Sequence, residues 1–276
     1  MNKALFRGPQ FLSVPRPTRM AWSRPAHFLP LMPILALPIS DTELLNVSHY
    51  GSIAVQIPDG DGMIPTVVLV VHPAFIAPLP FNKDGNWLPP YMPMAMRCLP
   101  FTPAIGGGLL YAPLLIEPDA SGTMRVEEAP GKPTKEFQQL HEMAQRLHLG
   151  AKRLSDAARI LIAAKVLVRL ETLEETADTQ FFIASAERLD ALEPQQAAGL
   201  TALGMLPLEL AAAMLFSQRF LTRRVDLRDR PTPGGARSTL DRRSELFEPL
   251  PPDLMAGNFA LDGGDLFDFN ILARRG

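Results

Sequence analysis

The stretch FNKDGNWLPPYMPMAMRCLPF, residues 81–101, is the part of the chain around which we expect the fold to be organised. It holds one of two tryptophans, one of three tyrosines and the single cysteine. Residues 82–85 predict a tight turn, because an Asp-Gly step supplies a residue that tolerates positive φ. Trp87 and Tyr91 follow as large apolar bodies with polar tips, and Arg97 lies among apolar residues where its guanidinium needs a partner.

The composition is that of a globular protein and excludes several classes of function. Of 276 residues, 47% are hydrophobic and 20% are charged, and the net charge of -2 gives no general attraction to nucleic acid or anionic membranes. The 28 prolines, about twice the usual share, confine long helices to the few proline-free regions. One cysteine excludes an internal disulfide framework and a cysteine-based zinc site, so we expect a reducing compartment.

Two apolar stretches, residues 63–81 and 98–116, are long enough to suggest membrane spans. Both are interrupted by several prolines, so they predict buried strands and loops, and we expect no transmembrane segment. Residues 1–33 show no period and predict a flexible basic arm of a cytoplasmic protein. An export signal or envelope association through this arm stays open, since a basic start precedes the apolar residues 28–39.

Alternating and β-branched runs predict three antiparallel hairpins. The paired segments are residues 53–57 with 67–71, 109–116 with 124–127, and 166–170 with 180–183. For the third pair, continuation of the preceding helix is the alternative. Ahead of the first hairpin, Ser40 and Glu43 form a capping-box signature for a short helix.

Proline-free segments predict the helices. Residues 135–164 carry an apolar stripe at steps of three and four, which favours a core-facing helix over a coiled-coil seam, and Gly150 is a possible kink. Residues 185–192 predict a short helix, and residues 207–221 a helix that is apolar on most faces and therefore buried or in contact with a partner. The fold class is thus α+β, with antiparallel β-hairpins in the N-terminal half packed with a long helix and a helical C-terminal segment.

Three motifs in the opening stretch resemble those of the bacterial SapC family. They are D-G-x-W at residues 84–87, Y-x-P at 91–93 and R-x-x-P-F at 97–101. Residues 180–192 resemble that family's strand leading into an E-x-L-x-x-L helix, and the resemblance covers roughly residues 38–221. The chain resembles a divergent member, and not the peptide-uptake permease that shares the name. The resemblance implies a plausible fold rather than a reaction.

We expect a SapC-like domain at residues 34–221, between the arm and a loosely ordered tail at 222–276. In the tail, arginines alternate with aspartates, and residues 222–245 lack the aromatic residues that stack on single-stranded nucleic acid, so no nucleic-acid partner is predicted. Cys98 is expected to be a small buried hydrophobic residue.

For function, we expect a non-enzymatic accessory protein that binds a protein or peptide partner through Trp87, Tyr91 and Arg97. A purely structural role for the same residues is also open, with Trp87 filling the core and Arg97 paired with a carboxylate. The alternative function is an enzyme or small-molecule-binding protein with a site near His49, His72 and Arg97. The chain lacks the Gly-x-Ser-x-Gly and His-Glu-x-x-His motifs, so we expect no cofactor and no metal.

Overall fold

The computed structural model describes residues 12–13, 21–31, 34–58, 64–73, 75–104, 108–111, 124–170, 179–202 and 204–222. The strands are β1 Leu12–Ser13, β2 Ala21–Trp22, β3 Ala36–Pro38, β4 Ser52–Pro58, β5 Thr66–Val70, β6 Phe101–Pro103, β7 Leu109–Tyr111, β8 Met124–Arg125, β9 Glu127–Ala129, β10 Lys132–Pro133, β11 Leu167–Arg169 and β12 Thr179–Ala184. The helices are α1 Leu44–Ser48, α2 Met94–Arg97, α3 Lys135–Ala163, α4 Ala186–Asp190, α5 Pro194–Gly199 and α6 Leu206–Ser217, with 3-10 turns at Leu29–Leu31, Asp41–Glu43 and Gln218–Phe220. Antiparallel sheets and a long helix confirm the α+β class.

The central sheet has five antiparallel strands in the order β11-β12-β4-β5-β3. Strands β4 and β5 pair with Val55 opposite Val67, as the first predicted hairpin requires. Strands β11 and β12 pair with Val168 opposite Ile183, which confirms the third hairpin over the alternative of a continued helix. The alternating and β-branched runs are therefore sufficient to locate these strands.

The second predicted hairpin, residues 109–116 with 124–127, stays a prediction, because residues 112–123, which include most of its first arm, lie outside the described residues. Strand β7 pairs with β6 on one side and with β1 on the other, so that Leu110 lies opposite both Thr102 and Ser13. Both edges of β7 are therefore occupied, and β8 pairs with β2. Local alternation identifies a strand but not its neighbour, which non-local packing selects. The predicted turn at residues 119–122 lies outside the described residues.

Helices α3 and α6 pack on each other and on the central sheet, α3 against β5 and α6 against β4. Helix α3 begins at its N-cap Thr134, whose hydroxyl oxygen accepts a hydrogen bond from the Phe137 backbone N–H at 3.3 Å. Its predicted apolar stripe faces the core, with Leu154 and Leu161 completely buried. A core contact of this kind typically contributes about 2–5 kcal/mol per leucine side chain.

A second, smaller cluster forms around Trp22, Phe101, Val126 and Leu140. Trp22 and Phe101 meet edge to face, with ring centroids 5.5 Å apart. Trp22 belongs to the segment for which the sequence predicts a basic arm, residues 1–33. In the same segment Phe28 is also buried, against the main core. Apolar side chains without a period thus hold residues 21–31 against the fold, which pattern analysis does not detect.

The two apolar stretches that resemble membrane spans contribute β5, β6 and β7 to antiparallel sheets. Among the helices that the structure describes, none combines the length and the apolar character needed to cross a membrane. The predicted tail lies, beyond Thr222, outside the described residues.

Candidate functional site

The predicted Asp-Gly turn is present and is built on one asparagine side chain. The Asn82 side-chain oxygen accepts hydrogen bonds from the backbone N–H groups of Asp84 at 3.0 Å and Asn86 at 2.8 Å. Gly85 has φ of +77°, and a Cβ there would lie 2.6 Å from the Leu29 backbone nitrogen. Gly85 is therefore needed both for its conformation and for the close approach of a neighbouring segment.

Trp87 follows the turn and is half-buried. Its ring meets that of Phe81 edge to face at 5.2 Å, and its Nε1–H donates to the Tyr91 carbonyl oxygen at 2.8 Å. The Trp87 indole is thus bonded to the backbone of Tyr91, the second aromatic residue that the sequence singles out. Leu88, the next residue, is 59% exposed.

Tyr91 and Arg97 come together around a carboxylate, that of Glu43. Glu43 Oε1 accepts hydrogen bonds from the Tyr91 hydroxyl at 2.9 Å and the Met94 backbone N–H at 2.5 Å, and Oε2 accepts from the Ser40 backbone N–H at 3.1 Å. Arg97 Nη2 lies 3.3 Å from the Tyr91 hydroxyl and 4.0 Å from Glu43 Oε1. Glu43 is the only charged side chain among the buried residues that the structure describes.

This arrangement satisfies the buried carboxylate mainly with neutral donors. Three hydrogen bonds reach Glu43 from groups without charge, whereas Arg97 sits at the limit of ion-pair distance with 40% of its side chain exposed. The Arg97 guanidinium also lies over the Tyr91 ring, 5.6 Å from its centroid. Glu43 therefore supplies the carboxylate expected for a structural role of Arg97. Part of the Arg97 side chain nevertheless remains exposed.

The segment that carries Glu43, residues 40–43, is fixed against helix α3; we refer to it as the 40–43 turn. Asp41 forms a two-pronged ion pair with Arg153, with Oδ2 2.5 Å from Nε and Oδ1 2.8 Å from Nη2. A Cβ at Gly150 would lie 2.5 Å from Asp41 Oδ1 and closer still to the Ser40 hydroxyl. Gly150, which the sequence suggested as a kink, instead allows this close approach, and the helix continues through it.

The surroundings raise the pKa of two groups of the site, the Tyr91 phenol and the Cys98 thiol. Burial, and then the neighbouring Glu43 carboxylate, raise the pKa of the Tyr91 phenol well above its usual value. Burial raises the pKa of the Cys98 thiol to about 12, although Arg97 acts in the opposite direction. Cys98 is 1% exposed, in line with the expected small buried hydrophobic residue. At neutral pH both groups are therefore protonated.

The two histidines of the alternative site have other neighbours. His49 is exposed and its ring meets Phe216 of α6 at 5.0 Å. The His72 ring meets Phe75 at 6.2 Å, while Arg97 contacts the Tyr91 and Glu43 side chains described above. The described contacts thus bring together the predicted binding residues, with Trp87 bonded to the Tyr91 carbonyl and Arg97 beside the Tyr91 hydroxyl.

A small cavity lies beside helix α2, and it is apolar. Its lining residues are Leu31, Ile34, Leu37, Pro38, Ala95, Leu99 and Thr102. With a volume of about 10 Å³, it has space for about one water molecule and is too small for an organic ligand. In the part of the chain that the structure describes, no group of three or more His, Cys, Asp or Glu side chains is arranged to hold a metal ion.

Sequence reasoning proposes Trp87, Tyr91 and Arg97 as binding residues but does not name Glu43, which contacts Tyr91 and Arg97. The sequence contains a signal for it, since Ser40 and Glu43 predict a capping box and Arg97 needs a partner. The capping box forms, with the Glu43 side chain accepting from the Ser40 backbone N–H. The same carboxylate also accepts from residues about 50 positions away, a relation that no local pattern encodes.

Comparisons with known proteins identify the family of the chain. No curated protein and no solved structure gives a significant match to the chain. The protein-family model of SapC matches residues 19–223, which include the whole site and extend beyond the 38–221 region where the motifs were recognised. Because the match covers most of the chain, the protein belongs to the SapC family.

Proposed function

We propose that the protein is a non-enzymatic, SapC-like accessory protein of bacteria that binds a protein or peptide partner, with Trp87, Tyr91 and Arg97 as its binding residues. The observation that carries the proposal is the combination of contacts and exposure at Arg97. Its guanidinium is positioned by the Tyr91 hydroxyl and ring, yet 40% of the side chain stays exposed beside a carboxylate already satisfied by neutral donors. Such an arginine can bind a carbonyl or carboxylate oxygen of a partner.

The surroundings of Arg97 favour a preorganised surface. The Asn82 turn, the bond from Trp87 Nε1 to the Tyr91 carbonyl and the buried Glu43 hold this segment in one conformation. Aromatic residues and arginine are the side chains that most often dominate binding energy at protein interfaces. Fixing them before association lowers the conformational entropy lost on binding, and the exposed Leu88 adds apolar area next to them.

Proton-transfer chemistry has less support at the same place. The pKa of Tyr91 is raised and that of Cys98 is about 12, so neither side chain supplies a base or a nucleophile near neutral pH. A cytoplasmic location is part of the proposal, and a single buried cysteine is compatible with a reducing compartment. Fractionation of host cells that express the intact chain tests that location.

Affinity capture from the native host tests the binding proposal. We expect tagged wild-type protein to recover a partner that Arg97→Ala recovers at least about tenfold less, because an interfacial arginine anchor typically contributes 2 kcal/mol or more. Arg146→Ala removes an exposed arginine from α3 and is the matched control. Trp87→Phe, which keeps an aromatic ring but loses the bond to the Tyr91 carbonyl, should give an intermediate loss. Equal recovery by wild type and Arg97→Ala would contradict the proposal.

A further inference from the structure

Helix α6 and the turn after it carry a continuous exposed stripe on the opposite side from their core contacts. The stripe consists of Met205, Glu209, Ala212, Phe216 and Arg219, all exposed. Its steps of four and three residues place these side chains on one helical face, the spacing found where two helices pack along their length. Met205 and Phe216 are 57% and 44% exposed, so the stripe is largely apolar with one charge of each sign.

Neighbouring residues widen this apolar surface. Leu208 and Leu215 flank the stripe and are half-buried. On the adjoining helix α1, Leu45 is 72% exposed, and His49 contacts the Phe216 ring edge to face. An apolar helical face of this extent, beside a second helix with an exposed leucine, is typical of an interaction surface.

The stripe is complementary to a second copy of itself related by a two-fold axis. The complementary pairs are the charged residues Glu209 and Arg219, and the small and large residues Ala212 and Phe216. In an antiparallel pair of α6 helices whose axis passes near Met214, Glu209 comes opposite Arg219 of the second copy. Ala212 then comes opposite Phe216, a small residue against a large one. A parallel pair would instead set Glu209 against Glu209 and Arg219 against Arg219, which repel. The stripe therefore matches its own antiparallel copy.

Arg219 is already positioned for such a contact. Its guanidinium carbon lies 3.8 Å from the centroid of the Phe216 ring and 4.9 Å from that of Phe220. Stacking on aromatic faces leaves the N–H donors of a guanidinium able to bind a carboxylate. The Arg219 guanidinium thus covers one face of the Phe216 ring, at the position where an antiparallel copy would bring its Glu209.

We propose that the α6 stripe binds a second copy of this chain in an antiparallel, two-fold symmetric pair. Two-fold interfaces are self-complementary, so each Glu209–Arg219 contact occurs twice. Helix α6 has 12 residues and is about 18 Å long, so the buried area falls at the low end for stable dimers. We therefore expect a dimer that forms and dissociates with protein concentration. The pairing does not involve residues 81–101 and is independent of the proposed function.

Sedimentation of the full-length protein over a range of concentrations tests this pairing by charge reversal. Glu209→Arg and Arg219→Glu each create two repulsive contacts per dimer, so each should raise the dissociation constant at least about tenfold. The double variant Glu209→Arg/Arg219→Glu restores opposite charges and should return to within about threefold of wild type. Glu142→Arg and Arg146→Glu reverse exposed charges on α3 and should leave the dissociation constant unchanged.

A further variant distinguishes weakened pairing from a folding defect in the charge-reversal variants. Ala212→Glu adds a charge opposite the Phe216 ring of the other copy at an exposed position, and should weaken pairing while circular dichroism and thermal unfolding stay like wild type. A wild-type chain that remains monomeric at hundreds of micromolar would overturn the proposal, and would indicate that the stripe is used by something else. A dimer that is insensitive to the single reversals, or that the double variant does not restore, would overturn it as well.

Discussion

The two acidic residues of the 40–43 turn secure neighbouring parts of the fold in different ways. Glu43 points into the protein, is completely buried and accepts hydrogen bonds from three neutral donors. Asp41, two residues earlier, points to the surface of α3 and pairs with Arg153, whose side chain is half exposed. One carboxylate is thus held by three hydrogen bonds inside the protein, and the other by an ion pair that water and salt can reach.

The difference shows which contact positions the candidate site. The Glu43 contacts connect the 40–43 turn to the segment carrying Tyr91 and Arg97, and a buried, satisfied carboxylate stabilises one arrangement because any other leaves it unpaired. The Asp41–Arg153 pair connects the same turn to α3 and contributes less, since surface ion pairs lose much of their attraction to solvent screening. Variants on each side of the turn should separate these contributions.

Loss of the buried carboxylate should have the largest effect. Glu43→Ala leaves the Tyr91 hydroxyl and the Met94 and Ser40 backbone N–H groups without their acceptor, and each unsatisfied donor costs about 1–3 kcal/mol when buried. We expect the free energy of unfolding to fall by about 3–5 kcal/mol, allowing for partial access of water. Glu43→Gln keeps one acceptor and should lose about 1–2 kcal/mol. Denaturant unfolding of both variants would contradict this reading if Glu43→Ala were as stable as wild type.

Gly150 probes the contact between the turn and α3. In Gly150→Ala the new Cβ collides with the Ser40 and Asp41 side chains, so the turn must shift, and the better helix propensity of alanine offsets only part of the cost. We expect a net loss of about 1–2 kcal/mol. Gly199→Ala is the matched control, because a Cβ there meets no atom within 4 Å, and it should be neutral or stabilising by up to about 1 kcal/mol. Equal melting temperatures for the two variants would argue against close packing at Gly150.

The exposed ion pair should give the smallest effect and the clearest dependence on pH and salt. Hydrogen bonding to Arg153 lowers the pKa of Asp41 below its usual value of 3.8. Its contribution is therefore present above pH 3.8 and is lost as the pH falls through the lowered, folded-state pKa. Arg153→Ala should cost about 0.5–1 kcal/mol at pH 7.

Comparing wild type with Arg153→Ala across pH and salt provides the check. The difference in their unfolding free energies should shrink below about pH 4 and in 1 M salt, whereas the cost of Glu43→Ala should change little with salt. An Arg153→Ala cost that is constant from pH 7 to pH 3 would show that the ion pair is not its source.

Much of the fold follows from local pattern. The alternation around Val55 and the β-branched run at Val67 predict the first hairpin, and the proline-free stripe predicts α3 almost to its ends. The same reasoning does not predict that β7 pairs with β1 and β6, because a strand pattern does not specify which distant edge it meets. It also misses the anchoring role of Trp22, which depends on the distant ring of Phe101.

In the candidate site, too, local pattern predicts some features and non-local packing decides others. Turn chemistry predicts Gly85, and residue type predicts Trp87, Tyr91 and Arg97 as the polar-tipped side chains of the segment. The position of Glu43 beside them, about 50 residues away along the chain, depends on how the 40–43 turn docks on the fold.

The sequence by itself determined the family motifs, the turn at Gly85, the capping box and the principal helices, because these depend on backbone preferences within a few residues. Only the tertiary structure decided that Glu43 accepts from Tyr91 and Met94, that Gly150 gives room to Ser40 and Asp41, and that one face of α6 is left exposed. These features arise where desolvation and close packing select among segments far apart in the chain, and such selection has no local signature.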